Sequence, residues 1–285
     1  MNTYTDITEF LPKYPNINQK PEEIFNPYDD DFYESIYRKK EFYDNKLEAI
    51  EEFPSHPGQL MKHQKIIANF FSSHTIYNEL LLFHSMGTGK SCSTVGAVEG
   101  IKETGGFRGA LYLAKGEALI NNFMNELIFN CTDGRYIPED YENLTQMEKL
   151  RRKKKSISEF YHFGTFETFA KKIKDTPEKM LIEKFNNFII VIDEVHNVRM
   201  KSKTVGLNIY NNFHKFLHLI PNCKILLLSG TPMFDQFNEI SSIMNLILPF
   251  DEQMITGEDF TKEFFIETKK DIYKPKSSHI PQLKQ

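Results

Sequence analysis

Gly87, Gly89, Lys90 and Ser91 follow an apolar run, Leu80 to Phe83, and precede a stretch of small residues that extends to Val98. Glycines in such a loop let backbone N–H groups turn inward around an anion. A helix that starts at the loop adds unpaired donors and the positive end of its dipole. A lysine there supplies a point charge to the β- and γ-phosphates of a nucleotide, and a serine hydroxyl can reach Mg2+. Strand, glycine loop, Lys-Ser and helix, in that order, form a phosphate-binding unit. The plainer alternative is a glycine turn before a helix that carries a chance lysine.

Asp193-Glu194-Val195-His196 closes the apolar run Phe188 to Ile192. An aspartate at a strand tip can hold Mg2+, usually through its water shell, and the adjacent glutamate can orient and deprotonate an attacking water. Asp-Glu alone reads as a solvated strand end; the upstream phosphate loop favours the catalytic reading. Chemistry alone assigns His196 no role. Ser229-Gly230-Thr231-Pro232 follows the run Ile225 to Leu228. Its hydroxyls can sense a γ-phosphate through the neighbouring acidic tip, or the turn can simply end a strand. These two readings balance. Gln64 lies upstream of the loop, and its amide offers a donor and an acceptor suited to an adenine edge. One glutamine by itself establishes nothing.

These groups must be positioned by the elements between them. Ile66, Ile67, Phe70 and Phe71 mark an amphipathic helix around Gln64, and Ala118 to Phe129 reads as another. Besides the run before the loop, strands are expected at 110–114, 160–163, 188–192 and 225–228. The β-branched run Phe188 to Ile192 is of the kind buried in parallel sheets. Strands alternating with helices imply right-handed crossovers and an α/β, doubly wound parallel sheet. Sites on such sheets lie beyond the carboxyl ends of the strands, where the motifs above fall.

Gln64, Ser85-Met86-Gly87-Thr88-Gly89-Lys90-Ser91, Asp193-Glu194-Val195-His196 and Ser229-Gly230-Thr231-Pro232 occur in the order of superfamily 2 helicases and translocases. They look like the glutamine motif and motifs I, II and III. Ala114-Lys115 and Gly164-Thr165-Phe166-Glu167 sit where motifs Ia and Ib would. From about residue 55 to 265 the chain resembles the first RecA-like lobe of that superfamily. Thr231-Pro232-Met233-Phe234-Asp235, with Glu239-Ile240 and Asn245-Leu246, is similar to nucleoside triphosphatases and the early transcription factor small subunit of large cytoplasmic DNA viruses.

The resemblance implies ATP and Mg2+ as cofactors. It places Gln64, Ser85, Met86, Gly87, Thr88, Gly89, Lys90 and Ser91 around the nucleotide, with Ser91 and Asp193 on the metal. Glu194 would be the general base, and His196 would couple the ATP site to Ser229 and Thr231. Lys115, Thr165 and Thr231 would lie near a DNA or RNA backbone. Two departures stand out. His84 occupies the first-glycine position of the longer phosphate-loop pattern, and the chain ends before a second motor lobe could fit. That lobe supplies an arginine finger in such motors, worth about three to five decades in rate. Weak hydrolysis is therefore expected, completed by a second RecA-like lobe in cis or by a partner protein. Viral transcription or genome handling is the implied setting. A catalytically weak ATP-binding interaction module is the alternative. A phosphate-loop kinase leaves Asp193-Glu194-Val195-His196 followed by Ser229-Gly230-Thr231-Pro232 without an account.

With 285 residues the chain has room for one sizeable α/β domain with extensions, or for two small domains. Its net charge of −4 means that any nucleic-acid contact comes from local patches. The densest is Lys149 to Lys155, within a polar insertion at about 131–158. It fits a solvated helix end, a phosphate-backbone contact or a nuclear address. Residues 1–57 read as an extension with an acidic helix from Asp31 to Glu52, a brace on the core or a partner-docking arm. Residues 58–268 form the ATP-binding domain, and 269–285 a polar tail or linker. Cys92, Cys131 and Cys223 are widely spaced, which suggests a reducing compartment and no disulfide. The start lacks a secretory pattern and no apolar run approaches the roughly 20 residues that span a bilayer. The expectation is a soluble protein of the cytoplasm (host cytoplasm or virion for a viral protein, with the nucleus also open).

Overall fold

The computed structural model describes residues 30–46, 56, 58–84, 87–198, 205–231, 233, 236, 238–269 and 272–277. Helices α1 (Asp30–Tyr37), α2 (Lys40–Tyr43) and α3 (Lys62–Phe70) lead to strand β1 (Glu79–Phe83) and helix α4 (Lys90–Thr104). Then come β2 (Gly109–Ala114), α5 (Glu117–Asn125) with a π turn to Asn130, and α6 (Gln146–Ile157). Next are β3 (Tyr161–Thr165), α7 (Phe166–Asp175), α8 (Glu178–Phe185) and β4 (Phe188–Ile192). After α9 (Val205–Leu219) and β5 (Lys224–Ser229) follow α10 (Glu239–Met244), α11 (Gly257–Phe264) and a hairpin of β6 (Phe265–Lys269) and β7 (Ile272–Pro275).

The five strands β1 to β5 make one parallel sheet in the order β1-β5-β4-β2-β3. The continuous apolar runs of β4 and β5 are buried throughout, because both sheet faces are covered. Ile190 and Ile192 face Phe169, Phe213 and Phe216 of α7 and α9, whereas Ile189 and Val191 face Val98, Ile101 and Phe123 of α4 and α5. Each fully buried side chain of this size contributes roughly 1.5–3 kcal/mol. The register aligns Phe83 with Ser229, Leu227 with Ile192, Ile192 with Leu113, and Ala114 with Thr165. All five carboxyl tips therefore share one edge, as expected for a doubly wound α/β sheet.

Three expectations need correction. The stretch from Asp31 is broken at Lys39, whose backbone is extended, and residues 47–55 lie outside the described part. The break has a packing reason. Ile36 and Phe42 are six residues apart and would sit about 120° apart around a straight helix. With the turn, both are buried against Tyr77, beside Ile66 and Phe70, and the Asn69 side chain donates to the Glu41 carbonyl. Among the described residues, this segment braces α3.

Cys92 and Cys131 form a disulfide, with Cα atoms 5.1 Å apart; only Cys223 is free. Thirty-nine positions separate the pair in sequence, and the π turn after α5 carries Cys131 back to α4. The insertion is anchored at its start. Arg135 and the Tyr136 hydroxyl bond to Glu99 of α4. Its basic run lies on α6, whose Thr145 and Glu148 cap one another. Finally, the run from Lys269 is no simple tail: β6 and β7 pair, and Lys276 N–H donates to the Phe264 carbonyl.

Candidate ATP site

The phosphate loop joins the tip of β1 to the first turn of α4. Gly87 and Gly89 have φ of 82° and 76°, a left-handed backbone that glycine adopts without penalty. Gly89 is also crowded, since an added Cβ would lie 2.4 Å from the Gln64 Nε2. Gln64 is buried, accepts from Met61 N–H at 2.9 Å and donates to the Gly89 carbonyl at 3.2 Å. Its amide thus holds the loop, rather than presenting both groups to an adenine edge. His63 approaches the Thr88 carbonyl at 3.2 Å, and its ring lies 5.9 Å from that of His84. Among the described residues the buried His84 Nδ1 has no hydrogen-bond partner. Burial lowers the His84 pKa, with His63 and Lys90 adding to the effect. Ser85 and Met86 lie outside the described residues.

Lys90 Nζ donates to Glu194 Oε1 at 2.8 Å, so the loop and the β4 tip meet directly. The second Glu194 oxygen accepts from Gly230 N–H at 3.3 Å and lies 3.3 Å from His196 Nδ1. Burial would raise the Glu194 pKa, but Lys90, the Gly230 N–H and His196 outweigh it and bring it below the ordinary value. Glu194 also has φ of 51°, a left-handed conformation uncommon outside glycine. Such strain persists only where surrounding contacts fix it, as they do here. His196 Nδ1 is 3.0 Å from Ser229 Oγ, which in turn accepts from Thr231 N–H at 3.1 Å. Asn197 reaches both His196 Nε2 and the Glu194 carbonyl at 3.0 Å.

Asp193 accepts from the Tyr112 hydroxyl at 2.5 Å. Burial raises its pKa, against the opposing effect of that hydrogen bond and of Lys90. A half-buried carboxylate held in this way is suited to a cation, which would offset the cost of its charge. Ser91 stands in the first turn of α4, next to Lys90. These groups fit a Mg-nucleotide: a left-handed glycine cradle, a helix N-terminus, one lysine, one hydroxyl and one half-buried aspartate.

The residues read as touching nucleic acid are dispersed along the same edge. Lys115 is exposed just past β2, and Thr231 is exposed just past β5. The Thr165 hydroxyl is committed to capping α7, accepting from Thr168 N–H at 3.3 Å. Tyr112, Asn197 and His63 belong to the site although no motif pointed to them. Tyr112 becomes visible only through register, since β2 lies directly beside β4.

A family model described as "Type III restriction enzyme, res subunit" matches residues 40–234, more than half of the chain. Over 191 residues the chain is 44% identical to "Putative helicase 009L" of Frog virus 3 (isolate Goorha), covering 67% of this chain and 20% of that protein. It is 38% identical over 257 residues to "Putative helicase 087L" of Invertebrate iridescent virus 3, covering 85% and 25%. It is 26% identical over 255 residues to "Putative ATP-dependent RNA helicase R563" of Acanthamoeba polyphaga mimivirus, covering 83% and 41%. The chain thus spans less than half the length of each of these relatives. The chain belongs to the type III restriction enzyme res subunit family, and is a RecA-like lobe of the superfamily 2 helicases.

Proposed function

We propose that this lobe binds and hydrolyses ATP with Mg2+ for a DNA or RNA helicase or translocase that serves viral transcription or genome handling. The observation that carries the reading is the 2.8 Å contact of Lys90 with Glu194, continued through His196 to the β5 tip. Ser91 and Asp193 would hold Mg2+, which would supply positive charge against that developing on the phosphates. Lys90 would exchange Glu194 for the β- and γ-phosphates, while loop N–H groups and the start of α4 hold the remaining oxygens. Once released from Lys90, Glu194 becomes the stronger base, free to orient a water and accept its proton. The change passes through His196 and Ser229 to Thr231, which we place against the nucleic-acid backbone together with Lys115.

Among the described residues no arginine bonds to this cluster; Arg108 and Arg135 are engaged with Glu183, Glu99 and Glu103. Slow turnover by the 285-residue chain follows, with an arginine supplied by a second lobe in cis or by a partner protein. The test is phosphate release with and without DNA or RNA. Stimulation that disappears in Lys90→Ala and Glu194→Gln supports the motor. Tight ATP binding with no turnover, even with nucleic acid, supports instead an ATP-binding module that a partner completes.

A further inference from the structure

β3 ends the sheet, and a groove of about 520 Å³ runs over this edge. Ala110 N–H pairs with the Phe160 carbonyl. Alternation along the strand then turns the N–H and C=O groups of Tyr161 and Phe163 away from β2, toward the groove. The groove has two unlike walls. On the face of Tyr161 and Phe163 it is lined by Ile120 and Met124, with Lys154 above them. On the face of His162 and Gly164 it is lined by Phe185, Lys172 and Lys184. The Nζ of Lys172 and that of Lys184 each lie 5.7 Å from the centre of the Phe185 ring. Among the described residues no carboxylate is within ion-pair distance of Lys154, Lys172 or Lys184. Burial lowers the Lys172 pKa, and Lys184 adds to the effect.

We infer that this groove binds an extended acidic polypeptide segment of a partner, which adds a strand to β3. Its alternate side chains would be apolar toward Ile120 and Met124 and acidic toward Lys172 and Lys184. Three features select this occupant. Outward backbone donors and acceptors recur every second residue, which matches a strand and not a sugar-phosphate chain. The unlike walls ask for the two-residue alternation that only a strand provides. Two crowded ammonium groups are relieved by a carboxylate between them, whereas Glu117 at the rim repels a continuous polyanion. Lysines also guard sheet edges against unwanted pairing. A guard acts by spacing its charges along the edge; here two of them converge on one ring.

The inference does not depend on the ATP site. The test uses the full chain and a labelled peptide of alternating valine and glutamate, followed by fluorescence anisotropy. The expected affinity is at least tenfold tighter than for the same peptide with lysine replacing glutamate. It falls at least tenfold when the valine amides are N-methylated, and again in the Lys172→Glu, Lys184→Glu double variant. Hydrogen exchange at Tyr161 and Phe163 slows when the peptide is added. A Lys184→Gln variant, with its melting temperature measured, should weaken binding severalfold and guards against misfolding of the double variant. Equal binding of the glutamate and lysine peptides overturns the proposal, as does undiminished binding of the N-methylated one. An oligothymidylate that binds in competition with the peptide, and more tightly, would assign the groove to nucleic acid instead.

Discussion

Two carboxylate clusters flank α4, and they use nearly the same side chains to different ends. At its amino end Glu194 and Asp193 meet Lys90, His196 and the Tyr112 hydroxyl. Nine residues along the helix, Glu99 meets the hydroxyls of Tyr136 and Tyr161 together with Arg135. Glu99 is only 7% exposed, and its oxygens accept from partners that belong to fixed elements. Among the described residues its partners are two hydroxyls and a guanidinium, not the start of a helix. A carboxylate, a cation and a tyrosine therefore do not make an active site. The candidate ATP site differs in its glycine loop and in the helix N-terminus beside its lysine. Glu99 instead ties the insertion and β3 to the helix, a task for a fully satisfied polar network.

Substitutions should separate the two clusters. Lys90→Ala is expected to have the largest effect, with ATP binding and turnover reduced at least 1,000-fold, on the order of 4 kcal/mol. Fluorescent-nucleotide titration with a thermal melt measures it; unchanged affinity would remove Lys90 from the site. Glu194→Gln should keep ATP binding and lower turnover by about 10²- to 10⁴-fold, the usual contribution of a general base. A variant with full turnover would exclude it from that role.

Glu99→Ala should show the opposite pattern. It leaves the buried hydroxyls of Tyr136 and Tyr161 without their acceptor, while Arg135 keeps Glu103, costing about 2 kcal/mol in denaturant unfolding, with ATP affinity per folded molecule unchanged. Loss of ATP binding without loss of stability would erase the distinction between the clusters. Tyr112→Phe is milder. Removing the hydroxyl deprives charged Asp193 of a donor, raises its pKa further, and should weaken Mg2+ dependence of turnover by about threefold to tenfold.

The smallest effect is on pH. The folded-state pKa of Glu194 lies below the ordinary 4.5, so its stabilisation is complete above 4.5 and is lost as pH falls through the folded value. Asp193, raised above 3.8, has the opposite sign: its protonation in acid relieves a buried charge. Glu194→Gln should therefore flatten the fall in melting temperature below pH 4.5, while Asp193→Asn should steepen it. The same acid profile in both variants would contradict the assignment.

Much of the site could be read in the chain because its signals are local. The loop from Gly87 to Ser91, the acidic tip after β4 and the turn after β5 are each defined by a few adjacent residues. The apolar run of β4 matches its observed span, and the other four strands of the parallel sheet differ by two residues or fewer at either end, whereas the β6–β7 hairpin is not among the expected strands. Boundaries moved where capping intervened: Thr165 extends β3 because its hydroxyl starts α7.

What eluded the sequence depends on register and on contacts between distant segments. The break at Lys39 follows from sharing Tyr77 between Ile36 and Phe42, and Cys131 meets Cys92 only after the π turn. Tyr112 reaches Asp193 because β2 pairs with β4, and Gln64 reaches Gly89 because α3 lies against the start of α4. Hydrophobic period and turn chemistry act over a few residues, so the order of amino acids alone prescribes strands, loop and chemistry. Which strand lies beside which, and what the sheet edge offers a partner, come from the summed packing of the whole chain, which no short stretch encodes.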